Sequence, residues 1–184
     1  MKKKSAVQKW KLLKSEPGED LSIFRVRFDH LVNPRNQTEL RATVLESNDS
    51  ANVVAITEND EIVLVRQYRF GIQDYTLELP GGFIDQGENH LTAVQRELSE
   101  ETGYTGKEWE YLGSVQANPV FMDSVIYQYV ARNVAKTDVV QLDEGEDVEV
   151  VVLSKSEVIK RIKNGEIAHP HSLTALMKVL SIWS

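Results

Sequence analysis

Short runs of alternating apolar and polar positions, broken by turn residues, fill the first half of the chain and give way to helical spacing in its middle. Leu21-Ser-Ile-Phe-Arg-Val-Arg-Phe28 alternates, turns at Asn33-Pro34-Arg35-Asn36, and finds its partner in Leu40-Arg-Ala-Thr-Val-Leu-Glu46. Asn52-Val-Val-Ala-Ile56 and Glu61-Ile-Val-Leu-Val-Arg-Gln-Tyr68 are predicted strands around the turn Glu58-Asn59-Asp60, and Tyr75-Thr-Leu-Glu-Leu79 is a third. From about Glu88 to Thr102 there is no Gly or Pro, and Leu91, Val94 and Leu98 recur on one helical face before Gly103 stops the helix. Two more strands follow, Trp109 to Gln116 and Val125 to Ala131, flanking a loop from Ala117 to Ser124. The acidic stretch Asp138 to Asp147 breaks the apolar pattern and reads as a loop, and Val148 to Leu153 as a buried type of strand. Ser154-Lys-Ser-Glu157 is a capping-box pattern opening a helix through Ile162. A last helix, roughly Ser172 to Ile182, carries Leu173, Leu176, Met177 and Leu180 on one face, after His169-Pro-His171 as a turn.

Strands before and after an acidic helix, with helices outside, predict an α/β/α sandwich around a mixed sheet. The first 20 residues are polar and lysine-rich, with Pro17-Gly18 marking a turn. The hairpin after them is barely stable alone, so it packs on the main domain or on another subunit. The expected division is residues 1–48, a small β-rich dimerisation segment, and residues 49–184, the catalytic domain.

The chemistry lies in one stretch, Leu-Pro-Gly-Gly-Phe-Ile-Asp-Gln-Gly-Glu from Leu79, running into the acidic helix. Glu97 and Glu101 are four apart and Glu97 and Glu100 three apart, which brings their side chains to one surface region. Carboxylates so placed repel unless a hard divalent cation neutralises them, and oxygen-only ligands favour magnesium or manganese over zinc. The Pro-Gly-Gly turn lets backbone approach the same place, where the Gly81 carbonyl could complete the site. A solvated acidic face is the plain alternative for any glutamate-rich helix.

Composition narrows the classes. A formal charge of −7 argues against a broad nucleic-acid surface. The absence of cysteine excludes disulfides, thiolate zinc and thiol catalysis. The basic start Met-Lys-Lys-Lys is followed by no apolar stretch of signal-peptide length, and no run approaches a membrane span, so the cytoplasm is the default expectation.

Gly82, five residues, Glu88, seven residues, then Arg96-Glu97-Leu98-Ser99-Glu100-Glu101-Thr102-Gly103-Tyr104 matches the Nudix box at every fixed position. The chain thus resembles the Nudix hydrolases. Val65-Arg-Gln-Tyr-Arg-Phe70, the approach Leu77-Glu78-Leu-Pro-Gly-Gly82, Pro119 beyond the box and the run Glu144-Gly-Glu-Asp147 before a strand resemble the ADP-ribose and nucleoside diphosphate sugar pyrophosphatases of that superfamily. The N-terminal hairpin matches that subgroup's small β domain, commonly exchanged across a homodimer.

The resemblance implies Glu97 and Glu101 as direct metal ligands, Glu100 as a ligand or water-holder and Gly81 as a backbone ligand for Mg2+, with Mn2+ as the substitute. Arg96 and Glu88 would be helpers, and an ordinary i,i+4 surface pair is the equal alternative for Arg96. Arg69 resembles the arginine that binds substrate phosphate, with Glu78 and Pro119 in the same substrate-binding group. The base would come from Asp143, Glu144, Glu146 and Asp147, alignment favouring Glu146 and then Glu144. Asn48-Asp-Ser-Ala-Asn52 departs from the arginine or histidine that subgroup members often carry there, and Phe121 and Met122 replace small residues, which leaves base selectivity open.

The function implied is magnesium-dependent hydrolysis of ADP-ribose or a related nucleoside diphosphate sugar to nucleoside monophosphate and sugar phosphate. The partner would be a nucleotide sugar, without nucleic acid or membrane. Hydrolysis of a nucleoside triphosphate, a dinucleoside polyphosphate or capped RNA is the rival within the class, and a non-catalytic nucleotide- or cation-binding module the rival outside it.

Overall fold

The computed structural model of the chain describes residues 7–142 and 145–182. Two compact units are present, one gathering residues up to Ser47 with Gln116–Ser124, the other Asn48–Val115 with Val125–Ser184.

The first unit is a three-stranded antiparallel sheet of β1 (Lys11–Asp20), β2 (Arg25–Val32) and β3 (Glu39–Glu46) in that order. The predicted hairpin is β2–β3. The polar stretch ahead of it, expected to turn at Pro17-Gly18, is instead the edge strand β1. An edge strand tolerates Pro17, whose missing N–H would otherwise break a ladder, and the pairing with β2 shifts register between Pro17 and Asp20. Gly18 is required by close approach, since a Cβ there would stand 2.9 Å from side-chain atoms of both Phe28 and Val26. Arg27 fastens the unit internally through Asp29 (3.1 Å), Asp123 (3.2 Å) and Glu46.

The second unit is an eight-stranded mixed sheet between helices. Its strands are β4 (Ser50–Thr57), β5 (Glu61–Arg69), β6 (Asp74–Glu78), β7 (Gly81–Phe83), β8 (Tyr104–Thr105), β9 (Glu108–Gln116), β10 (Val125–Lys136) and β11 (Val148–Ser154). The helices are α1 (His90–Thr102), α2 (Lys155–Lys163) and α3 (Pro170–Val179). β4 and β10 run parallel at the centre, and β11 pairs antiparallel with β5 at one edge. The edge position leaves β11 only partly buried, less than its valine-rich sequence predicts.

Strand alternation splits the core into two layers. Val53, Ala55 and Val63 meet Val94 and Leu98 of α1, whereas Val54, Ile56, Ile62 and Leu64 meet Val158 of α2 and Ala175 and Leu176 of α3. A fully buried leucine such as Leu98 or Leu64 stabilises by about 2 kcal/mol, so the helical face that carries Leu98 is held firmly against the sheet. The result is an α/β/α sandwich. Met177, expected on the apolar face of the last helix, is 55% exposed, because α3 begins at Pro170 and presents Leu173 and Leu176 instead.

Two local rules aim α1. Asn89, not Glu88, caps the helix, its Oδ1 accepting the Leu91 N–H at 2.8 Å, so Glu88 lies just outside and is free of helical geometry. Gly103 closes it in the left-handed region at φ 71°, its N–H donating to the Ser99 carbonyl.

Candidate active site

The box turn is not a loop but a third short strand on β4. Gly81 pairs with Asn52 and Gly82 with Ala51. Gly81 has φ 152°, and a Cβ there would collide with the Ala51 carbonyl and fall 2.7 Å from the Asn52 Cα, so glycine alone fits. This lays the Pro-Gly-Gly backbone directly over the C-terminal half of α1.

There the Gly81 N–H donates to Oε2 of Glu101 at 2.8 Å. The role expected for Gly81 as a backbone ligand is through its carbonyl, a different atom from this amide. Glu101 is only 3% exposed, and burial, with the repulsion of Glu97 and Glu146, pushes its carboxyl up to about 8 against the lowering effect of the Gly81 amide. Burial likewise pushes Glu97 up. Buried carboxylates pushed upward in this way lack compensating positive charge. A hard divalent cation supplies that charge, and the donors here are all oxygens, so the residues fit magnesium or manganese.

Arg96 meanwhile holds the ring of acids together. Its Nε and Nη2 reach Glu88 at 3.1 and 3.0 Å, its Nη1 reaches Glu97 at 2.8 Å and Glu100 at 2.9 Å, and its Nη2 donates to the Phe83 carbonyl at 3.2 Å. The i,i+4 pair with Glu100 is one contact of several, and the hydrogen bonds with Glu88 are what most raise the arginine and lower that acid. Among the described residues no three acidic or histidine side chains form a ready-made cation cage.

A second charged group stands on β5 and β6. Arg69 donates from Nε and Nη2 to the two oxygens of Glu78, both at 2.7 Å, a bidentate fork. Glu78 is 2% exposed and also accepts the Thr76 hydroxyl and approaches Nδ1 of His169 at 3.3 Å. Burial pushes Glu78 up, but the Arg69 hydrogen bond and its other partners outweigh that and leave it below the ordinary carboxylate range. Arg69 is raised, first by Glu78 and further by the fields of Glu101 and Glu146. Arg69 and the box carboxylates thus share one electrostatic neighbourhood.

Glu146 is exposed, and its charge acts on Glu97, Glu101 and Arg69. The start of its loop is fastened to the end of α1: Ser99 donates to Asp138 at 2.8 Å and the Gln141 N–H to the Glu100 carbonyl at 2.9 Å. Asp143 and Glu144 lie outside the described residues. Pro119 is exposed in the first unit, in the turn that opens at Asn118. Missed from sequence were His169 and Thr76 as partners of Glu78 and the hub role of Arg96. Thr76 sits at i−2 on the same strand face and was legible in principle, whereas nothing in the spacing links residue 169 to residue 78.

A model of the NUDIX domain matches residues 46–176. The chain belongs to the Nudix family. Its box is intact, and with it the carboxylate helix of a Nudix pyrophosphohydrolase. The chain is 33% identical over 167 residues to the methanol dehydrogenase activator of Bacillus methanolicus, covering 90% of each. It is 29% identical over 173 residues to an ADP-ribose pyrophosphatase of Mycobacterium tuberculosis, covering 92% of this chain and 83% of that one. A solved ADP compounds hydrolase shares the Nudix fold over 96% of this chain and 95% of its own, with a TM-score of 0.84 at 24% identity. Among the described residues of this Nudix chain, no helix is long and apolar enough to cross a membrane.

Proposed function

We propose that this chain hydrolyses the pyrophosphate linkage of ADP-ribose or a related nucleoside diphosphate sugar, with magnesium or manganese, to nucleoside monophosphate and sugar phosphate. The observation that carries this reading is the buried Glu101 carboxylate, held by the Gly81 amide beside Glu97, within the field of the clamped Arg69. Names of relatives support the substrate class, since an ADP-ribose pyrophosphatase is among those spanning most of the chain.

Glu97, Glu100 and Glu101 are the residues that would hold the cation. When bound, it neutralises the diphosphate and polarises its phosphorus centres. Arg69 orients one phosphate with the guanidinium edge that Glu78 leaves available. Glu146 takes the proton from the attacking water, since box carboxylates committed to a cation are poor proton acceptors. Water adds to phosphorus, and the bridging oxygen departs with the other phosphate.

Assembly belongs to the same proposal. Trp10, Leu12, Leu13, Leu21, Ile23 and Leu40 of the first unit are exposed, more apolar surface than a small sheet carries alone, and a homodimer through this segment would cover them. Light scattering at micromolar concentration is expected to return twice the chain mass.

A panel of nucleoside diphosphate sugars, nucleoside triphosphates, dinucleoside polyphosphates and capped RNA, each assayed for released phosphomonoester with magnesium, tests the substrate. The sugars are expected to lead, and Glu101→Gln to lower turnover by about 10³-fold or more with the fold kept. Calorimetric binding without hydrolysis of any of them would replace this reading with a binding module. The relative named methanol dehydrogenase activator favours a second reading, in which the chain activates a dehydrogenase. Adding wild type and Glu101→Gln to such an enzyme distinguishes activation that needs the box from activation that does not.

A further inference from the structure

Glu78 is the pivot between the phosphate arginine and the far end of the chain. Both of its oxygens are occupied by Arg69, the Thr76 hydroxyl adds a donor on the strand side, and the approach from outside the hairpin is made by His169. His169 Nδ1 lies 3.3 Å from Oε2, the oxygen that also takes Arg69 Nη2.

The placement of that histidine is built rather than incidental. It is the residue before Pro170, at the N-cap of α3, where its side chain makes no capping hydrogen bond and so is available for other work. Nδ1 also lies 3.2 Å from the Ser172 hydroxyl, which itself accepts the Leu79 N–H at 3.0 Å. The first turn of α3 is thereby fastened to the strand end that carries Glu78. Groups facing the imidazole are Glu78 from β6, Arg69 from β5, and His171 within α3. Burial, with the fields of His171 and Arg69, pushes the imidazole down against the raising effect of Glu78, so the approach to Glu78 favours the neutral ring over a second cation competing with Arg69.

A buried carboxylate that must hold a guanidinium at a fixed angle needs its own remaining lone pairs satisfied, otherwise it rotates toward whatever donor is nearest. We propose that His169 is a positioning residue for phosphate recognition: its Nδ1 braces Glu78, and Glu78 holds Arg69 in the orientation that meets the substrate diphosphate. This rests on the reading of Arg69 and of the substrate class given above. It assigns a function to the C-terminal helix, which the box does not involve, and it accounts for a histidine beside an acid outside the carboxylate helix.

Steady-state kinetics with ADP-ribose and magnesium test it. His169→Phe, which fills the space without a donor, is expected to raise KM about tenfold with kcat changed by less than about threefold, the scale of one hydrogen bond to a charged group. His169→Asn, whose amide nitrogen takes the place of Nδ1, is expected to return KM to within about threefold of wild type. In a Glu78→Gln background His169→Phe is expected to add nothing, because the group it acts through has lost its charge. An unchanged KM in His169→Phe, a loss shared by kcat and KM that His169→Asn fails to restore, or the same KM rise in the Glu78→Gln background would each overturn the proposal. His169→Ala reads the same contrast if the phenylalanine variant does not fold. Absence of nucleoside diphosphate sugar hydrolysis in the wild type would be seen before any variant is made, and would overturn the substrate reading and this inference with it.

Discussion

A Cβ on Gly82 would lie 2.5 Å from Oε1 of Glu97. The second glycine of the turn is therefore a spacer for a carboxylate, whereas Gly81, one residue earlier, is a spacer for backbone. The two should fail differently. Gly82→Ala pushes only the end of a flexible side chain, so its melting temperature should stay near wild type. Displacing Glu97 by about 1 Å costs turnover on the order of 10²-fold. Gly81→Ala meets the Ala51 carbonyl and the Asn52 Cα in a conformation that L-residues rarely adopt, so it should lose about 2 kcal/mol or more of stability. Thermal melts beside kcat separate the two; equal losses of stability would refute the distinction.

Arg96 joins Glu88, Glu97 and Glu100 through different nitrogens of one planar group. Lysine keeps the charge but has no fork, so Arg96→Lys should leave the acids misaligned and lower kcat by about 10-fold or more with little change in KM. The magnesium concentration for half-maximal activity should rise in the same variant. Wild-type magnesium dependence would mean that the hub has no part in presenting Glu97 and Glu100.

Glu146 acts on Glu97, Glu101 and Arg69 from outside the helix. Glu146→Gln should keep substrate affinity and lower turnover by roughly 10²–10⁴-fold, the usual contribution of a general base. Glu144→Gln should show the smaller loss. A reversed order exchanges the roles of the two, and a loss of only a few-fold in both moves the base elsewhere.

Glu78 titrates below its ordinary value in the folded chain, so its contribution is present above the unfolded carboxylate range and disappears as pH falls through the folded value. Glu78→Gln should consequently be less stable than wild type at pH 7, by about 2 kcal/mol, and the gap should narrow as pH falls below the ordinary carboxylate range. Denaturant midpoints followed from pH 7 into acid measure this. A gap that does not narrow on acidification would show that shape, not charge, is what the position supplies.

The sequence by itself determined the elements whose signals are local. Alternation and short apolar runs between turns marked β2 to β6 and β9 to β11, the spacing of Leu91, Val94 and Leu98 marked the buried face of α1, and the fixed positions from Gly82 to Tyr104 marked the family, because periodicity and turn chemistry act between near neighbours. Local rules misjudged what depends on a remote partner. Lys11–Asp20 looks like a polar tail, and becomes a strand because β2 offers it an edge where proline is tolerated. Arg96 reads equally as a helper of the box or as one half of a surface pair, and the choice is made by the box turn, which folds back as β7 and brings Glu88 and the Phe83 carbonyl to it. The Arg69–Glu78–His169 chain joins three elements across about 100 residues of sequence, and no period in the sequence encodes that distance. Tertiary packing decided it: the two faces of one sheet had to be covered by different helices, and covering the second face delivered α3 to the buried acid behind Arg69.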